Sequence, residues 1–205
     1  MAEIEQPQIY LISPPELELA RFPGELAACL DAVPVACFRL AMSSTDEGRL
    51  AKAADACREV CHGRDVAIVI ERHVQLAQRL GLDGVHLTDG ARTVRKVRKD
   101  LGGEAIVGCF CGQSRHDGMM AGEADADYVS FGPVAPTALG DGAFADTGLF
   151  QWWSEMIEVP VIAEGALSAS TIAALAPYAD FFGVSEIWSH DDPEGALRTL
   201  FAAIS

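Results

Sequence analysis

Eight short apolar runs, separated by segments of helical periodicity, constrain this chain more than any single residue does. They are IYLIS (9–13), VACFRL (35–40), VAIVI (66–70), GVHL (84–87), AIVGCF (105–110), YVSF (128–131), VPVIA (159–163) and FFGVS (181–185). Continuous apolar runs of this length read as strands covered on both faces. The clearest of the intervening segments is Ser44 to Cys61, where Leu50, Ala53, Ala54, Cys57, Val60 and Cys61 make one apolar stripe, the pattern of a helix lying on a core. Strands of this kind alternating with one-sided helices predict a parallel sheet clothed in helices. Eight such units favour closure into a (β/α)8 barrel, one domain spanning residues 1–205. The competing architecture is an open doubly wound sheet, whose usual mark is a GxGxxG turn after the first strand. Here that strand runs into Ser13-Pro14-Pro15.

Local signals mark helix ends. Ser44 and Glu47 have the spacing of a capping box, and Ser114 with Asp117 forms a weaker one. Asp192 before Pro193 predicts a cap and first-turn proline for the last helix, and Gly102 a stop after TVRKVRKDL. Composition narrows function. Fifteen basic against thirty acidic residues give a net charge of −15, which repels nucleic acid and anionic membrane surfaces. No apolar run reaches the ~18 residues of a membrane span, and acidic residues in MAEIEQPQIYLIS stand where a signal peptide carries basic ones. These features predict a cytoplasmic protein. The six cysteines show no CxxC pair and no zinc-finger histidine, and read as reduced core residues. Cys57 with Cys61, one helical turn apart, and Cys109 with Cys111, on one strand face, leave a redox or metal role open.

A barrel places its ligand site at the carboxyl ends of the strands, often with a phosphate at the loops after strands seven and eight. That rule selects Glu164-Gly165-Ala166 and Val184-Ser185-Glu186, where backbone N–H groups can hold an anion without a lysine. Tight strand-to-helix turns would explain Gly165 and Ser185 equally well. The other strand ends present Arg39, Glu71, His86, Asp89 and Cys111. Arg39 is a phosphate ligand or the partner of an acid such as Glu71. His86 is a catalyst or a hydrogen-bonded core histidine. Glu164 needs a partner, solvent or a function, because a bare carboxylate is costly to bury. Residues 132–148, GPVAPTALGDGAFADTG, make a connection long enough to serve as a lid or binding loop.

The segments LGLDGVHL (80–87), ADADYVSFGPVAPT (124–137), VPVIAEGALSASTIAAL (159–175) and FFGVSEIW (181–188) are similar in order and spacing to GADGVHLGQ, GADYVGxGPxFPT, PVVAIGGI and GVAVVSAI. On these four pieces the chain, from about residue 9 to 190, resembles the thiamine phosphate synthase and thiazole tautomerase family. The resemblance implies the (β/α)8 barrel and a homodimer. It also implies a transferase that joins a hydroxymethylpyrimidine pyrophosphate to a thiazole phosphate with magnesium, releasing pyrophosphate. Thr137 matches a threonine that contacts the pyrophosphate, and Gly165, Ala166, Val184 and Ser185 match the phosphate loops. Arg39 and Asp89 or Glu71 would then serve pyrophosphate and metal, with Asp89 the candidate metal ligand.

Several positions depart from the family. Gln-Leu-Arg-x-Lys becomes Cys37-Phe38-Arg39-Leu40-Ala41, an Asn-Asp pair becomes Glu71-Arg72, and the Gly-Gln after GVHL becomes Thr88-Asp89. A serine after strand five is replaced near Cys111, a threonine-lysine element falls on Ala138-Leu139-Gly140, and the second phosphate-loop glycine is Ala166. The tautomerase histidine falls on Pro133, and His116 is expected early in the fifth helix. Three readings therefore stand open: a divergent synthase binding a thiazole phosphate or thiamine phosphate; an isomerase using Glu164, Glu71, His86 or Glu186 as proton carriers; and a non-catalytic protein that binds a phosphorylated ligand.

Overall fold

The computed structural model describes residues 6–136 and 143–204. Its strands are β1 (Gln8–Ile12), β2 (Val35–Leu40), β3 (Ala67–Glu71), β4 (Gly84–Leu87), β5 (Ile106–Phe110), β6 (Tyr128–Phe131), β7 (Val161–Glu164) and β8 (Phe181–Val184). All neighbours pair in parallel, and β8 closes on β1 to make the eight-stranded barrel. The helices are α1 (Phe22–Ala32), α2 (Glu47–His62), α3 (Val74–Leu80), α4 (Val94–Leu101), α5 (Arg115–Glu123), α6 (Thr147–Met156), α7 (Ala169–Leu175) and α8 (Pro193–Phe201), with a 3-10 turn at Glu186–Ser189. Among the described residues no helix is long and apolar enough to cross a membrane.

Alternation along each strand divides the core in two. Ile9, Leu11, Phe38, Leu40, Ile68 and Ile70 point outward and pack under the helices. Tyr10, Ile12, Cys37, Val69, Tyr128 and Ile162 point inward and fill the barrel. A β-carbon added to Gly108 would stand 2.0 Å from the Tyr128 ring. That glycine is the space the phenol occupies.

Most of the expected caps are present. Ser114 accepts from the Asp117 amide, Asp192 accepts from the Gly195 amide ahead of Pro193, and Gly102 ends α4 at φ 88°. The start of α2 is corrected: its cap is Asp46, which accepts from the Arg49 amide, while Ser44 accepts from the Asp46 amide one step earlier. His116 lies in the first turn of α5. All six cysteines are free and buried.

A repeat at the amino end of the barrel was not anticipated. Asp83, Asp127 and Asp180 each stand immediately before an even-numbered strand. Their carboxylates accept from amides within the first two residues of the preceding strands, Ile68, Val107 and Val161, at 2.7 Å each. Their own amides donate back to the carbonyls of the same three residues. These staples hold the end of the barrel opposite the ligand face.

Candidate active site

The inward positions nearest the carboxyl end carry a connected polar network. Arg39 on β2, His86 on β4, Ser130 on β6 and Glu164 on β7 are all buried, Arg39 at 5 % and Glu164 at 7 % exposure. Arg39 Nη2 donates to Glu164 Oε2 at 2.6 Å, and Ser130 Oγ donates to Glu164 Oε1 at 3.1 Å. The other terminal nitrogen of Arg39 donates to His86 Nε2 at 2.7 Å. A guanidinium has no acceptor, so Nε2 must accept and the imidazole proton sits on Nδ1. Nδ1 then donates to the Tyr128 hydroxyl at 3.0 Å, and the Tyr128 and Tyr10 hydroxyls share a hydrogen bond at 2.6 Å. The network is thus polarised in one direction, from guanidinium to phenol.

The charges follow from this packing. Burial, with the nearby Arg39 charge, pushes the His86 pKa well below its ordinary value, so the ring is neutral. Burial is the largest influence on Arg39 and opposes its charge, but Glu164, together with Tyr10, Tyr128 and Glu71, outweighs it and the guanidinium stays protonated. Glu71 sits 3.7 Å from Arg39 Nε and is raised by burial, partly offset by Arg39 and Arg72. Arg39 Nε has no hydrogen-bond partner among the described residues. Of the two acids that Arg39 could have paired with, Glu164 holds it closely and Glu71 does not. His86 has both ring nitrogens engaged inside the barrel, the arrangement of a core histidine.

The loops after β7 and β8 meet at the mouth. Gly165 and Ala166 both adopt the left-handed region, at φ 79° and 58°. The Gly165 carbonyl accepts from the Val134 amide at 2.9 Å, which ties this turn to the Gly132-Pro133 loop. One Glu186 carboxylate spans the two loops, accepting from the Leu167 amide at 3.1 Å and the Ser185 amide at 3.0 Å. The loops therefore converge on an anion-sized point, and that point is filled by the chain's own carboxylate. Sequence reading had placed Glu186 at the mouth as a proton carrier; its seat on two amides was not foreseen. Thr137 and the centre of the 132–148 loop lie outside the described residues.

Asp89 stands on the rim of a cleft of about 630 Å³ between α3 and α4, which Arg72 and Lys96 also line. Magnesium is usually held by one or two carboxylates together with substrate phosphates. Both Asp89 oxygens accept from the Thr93 hydroxyl at 3.0 Å, and Glu71 is flanked by two arginines at 3.7 Å. Among the described residues no three His, Cys, Asp or Glu side chains gather into a metal-holding group.

Fold and site together define an α/β barrel with a polar carboxyl end, the architecture of many small-molecule enzymes. The family described as thiamine monophosphate synthase matches residues 9–187, and the chain belongs to it. It is 39 % identical over 186 residues to the thiamine-phosphate synthase of Rhodospirillum centenum, covering 89 % of this chain and 90 % of that protein. It is 38 % identical over 200 residues to that of Erythrobacter litoralis, with 94 % and 93 % covered. Among solved structures, thiamine phosphate pyrophosphorylase from Pyrococcus furiosus superposes with a TM-score of 0.84 at 17 % identity, over 98 % of this chain and 96 % of that one. The fold and the family expected from the sequence are both borne out, and the chain is thiamine-phosphate-synthase-like, of the transferase class.

Proposed function

We propose that this protein joins a hydroxymethylpyrimidine pyrophosphate to a thiazole at the carboxyl end of the barrel, releasing pyrophosphate. The thiazole's side arm reaches the Gly165-Ala166 turn and the Val184-Ser185 strand end. The observation that carries the reading is the convergence of the β7 and β8 loops on a single carboxylate at 3.0 and 3.1 Å, in a chain whose family performs this transfer. The buried network beneath gives the mouth a fixed floor. Arg39 cannot turn away without leaving Glu164 uncompensated, so its charge stays below the reacting centre.

The acid–base alternative is less well supported. Both His86 nitrogens are engaged by Arg39 and Tyr128, so the ring offers no open nitrogen, and Glu164 is held as the counter-ion of Arg39 with Ser130 on its other oxygen. We further infer a cytoplasmic homodimer, which gel filtration of the intact chain tests. For the transferase itself, the protein is incubated with the pyrimidine pyrophosphate, a thiazole or thiazole phosphate, and magnesium, and released pyrophosphate is measured. Turnover above the uncatalysed background is expected with at least one thiazole; none with either rejects the reading.

A further inference from the structure

We propose that Arg72 is a catalytic residue of the transfer, donating hydrogen bonds to the pyrophosphate as it leaves. This rests on the transferase reading and deepens it. With a net charge of −15, the chain as a whole repels a polyphosphate, so local cations must hold one at the mouth. Of the residues that immediately follow the strands, Arg72 alone is a lysine or arginine. It falls on the second member of the family's Asn-Asp pair, so its charge is a departure from that pattern. Arg39, on the neighbouring strand, is buried and already engaged by Glu164 and His86.

The Arg72 guanidinium is held in place yet left open. Its side chain is 57 % exposed, and its ion-pair partner among the described residues, Glu71, stands 3.7 Å away, beyond hydrogen-bond reach. Glu71 is the same distance from Arg39 Nε, which also lacks a hydrogen-bond partner among the described residues. One carboxylate thus lies between two guanidiniums that both keep donors free. The backbone fixes the position. Arg72 holds φ 63°, and its amide donates to the His86 carbonyl while its carbonyl accepts from the Val74 amide, both at 3.0 Å. A residue with a β-carbon keeps such a conformation only where its surroundings over-determine it. The side chain then lines the cleft of about 630 Å³ beside the ends of β3 and β4, which Lys96 also lines.

Topology gives that cleft its part in the reaction. In the closed barrel β3 and β4 stand opposite β7 and β8, where the thiazole's side arm is placed. Displacement at the pyrimidine methylene carbon sets nucleophile and leaving group on opposite sides of that carbon. The thiazole nitrogen lone pair forms the new bond. The carbon–oxygen bond to pyrophosphate breaks, and pyrophosphate leaves with that electron pair. The product is a thiazolium cation, and no co-reactant is consumed. Arg72 moves no proton, since a guanidinium stays charged throughout. It offers a planar fork that matches two phosphate oxygens, and its hold strengthens as charge gathers on them.

The test is steady-state kinetics of the intact protein with the pyrimidine pyrophosphate, thiazole phosphate and magnesium, beside calorimetric titration with pyrophosphate, for wild type, Arg72→Asn, Arg72→Lys and Arg79→Ala. Asn accepts the left-handed region, so Arg72→Asn removes the charge and keeps the turn. It is expected to lower kcat and weaken pyrophosphate binding, each by at least about tenfold, with KM for the thiazole phosphate unchanged. Arg72→Lys should fall between, because it keeps the charge and loses the fork. Arg79, paired with Glu47 away from the cleft lining, controls for the loss of one surface charge and should leave all three values as in wild type. A wild type that binds no pyrophosphate, an Arg72→Asn variant unchanged in both turnover and binding, or an equal loss in Arg79→Ala overturns the proposal. Absence of turnover in wild type would instead remove the transferase reading, while the pyrophosphate titrations would still decide what Arg72 does.

Discussion

Carboxylates accept backbone amides at both ends of this barrel, but the amides they meet belong to different parts of the structure. At the amino end, Asp83, Asp127 and Asp180 hold amides at the starts of β3, β5 and β7 at 2.7 Å. Those N–H groups would otherwise be unpaired where the sheet begins, so the contact completes a strand. At the carboxyl end, Glu186 holds amides of two loops, and it completes nothing in the ladder. Between these lies a third arrangement, Glu164 buried against Arg39. The same functional group thus closes a sheet, ties two loops or balances a charge, according to what faces it. Fully internal pairs should dominate stability, and the mouth carboxylate should matter least to it.

The largest effect is expected at the buried pair. Glu164→Leu leaves the Arg39 charge uncompensated and should destabilise the fold by about 3–5 kcal/mol. The double variant with Arg39→Met should recover much of that loss, which urea denaturation of both will read. A small loss in the single variant would mean that Arg39 finds Glu71 instead. Asp127→Ala should cost about 1–2 kcal/mol, for it removes a charged acceptor from the Val107 amide. Glu186→Ala should cost less than about 1 kcal/mol, as expected of a half-exposed loop position. Equal losses at Asp127 and Glu186 would erase the distinction between the two ends.

Acid should expose the histidine beneath the mouth. Folded His86 is held neutral by burial and by Arg39, whereas the unfolded chain takes up a proton near the ordinary value of about 6.5. The unfolded state then binds more protons, so stability falls as pH drops below about 6.5, by up to about 1.4 kcal/mol per pH unit from this one group. His86→Gln, which can still accept from Arg39 and donate to Tyr128, should flatten that part of the stability–pH curve. An unchanged slope would assign the acid sensitivity to other groups.

The barrel was legible because its signals are local. Each apolar run became a strand to within two residues, the widest miss being VPVIA, whose strand begins at Val161. The Val159 carbonyl is instead taken by the Trp153 indole at 2.8 Å. The α2 cap was placed at Ser44 on its spacing to Glu47; Asp46, two residues on, takes that place because the path of the loop seats it there. That Glu164 needs a partner follows from its type and position. That the partner is Arg39, across the barrel rather than beside it, depends on strand stagger. The seat of Glu186 needs two loops to meet, which no window of sequence reveals. The staples did leave a signal: an aspartate directly before GV, YV and FF at alternate strands.

The smallest effect concerns the turn after β7 at the mouth. Ala166 holds φ 58°, a conformation that costs a residue with a β-carbon about 1–2 kcal/mol, and the family motif has glycine there. Ala166→Gly removes that strain but gives the unfolded chain more freedom, which works against it. The net gain should be below about 1 kcal/mol, seen as a small rise in Tm. If the turn keeps its shape, pyrophosphate release with the thiazole phosphate should stay as in wild type. A changed rate with unchanged stability would mean that the turn itself sets what the mouth accepts.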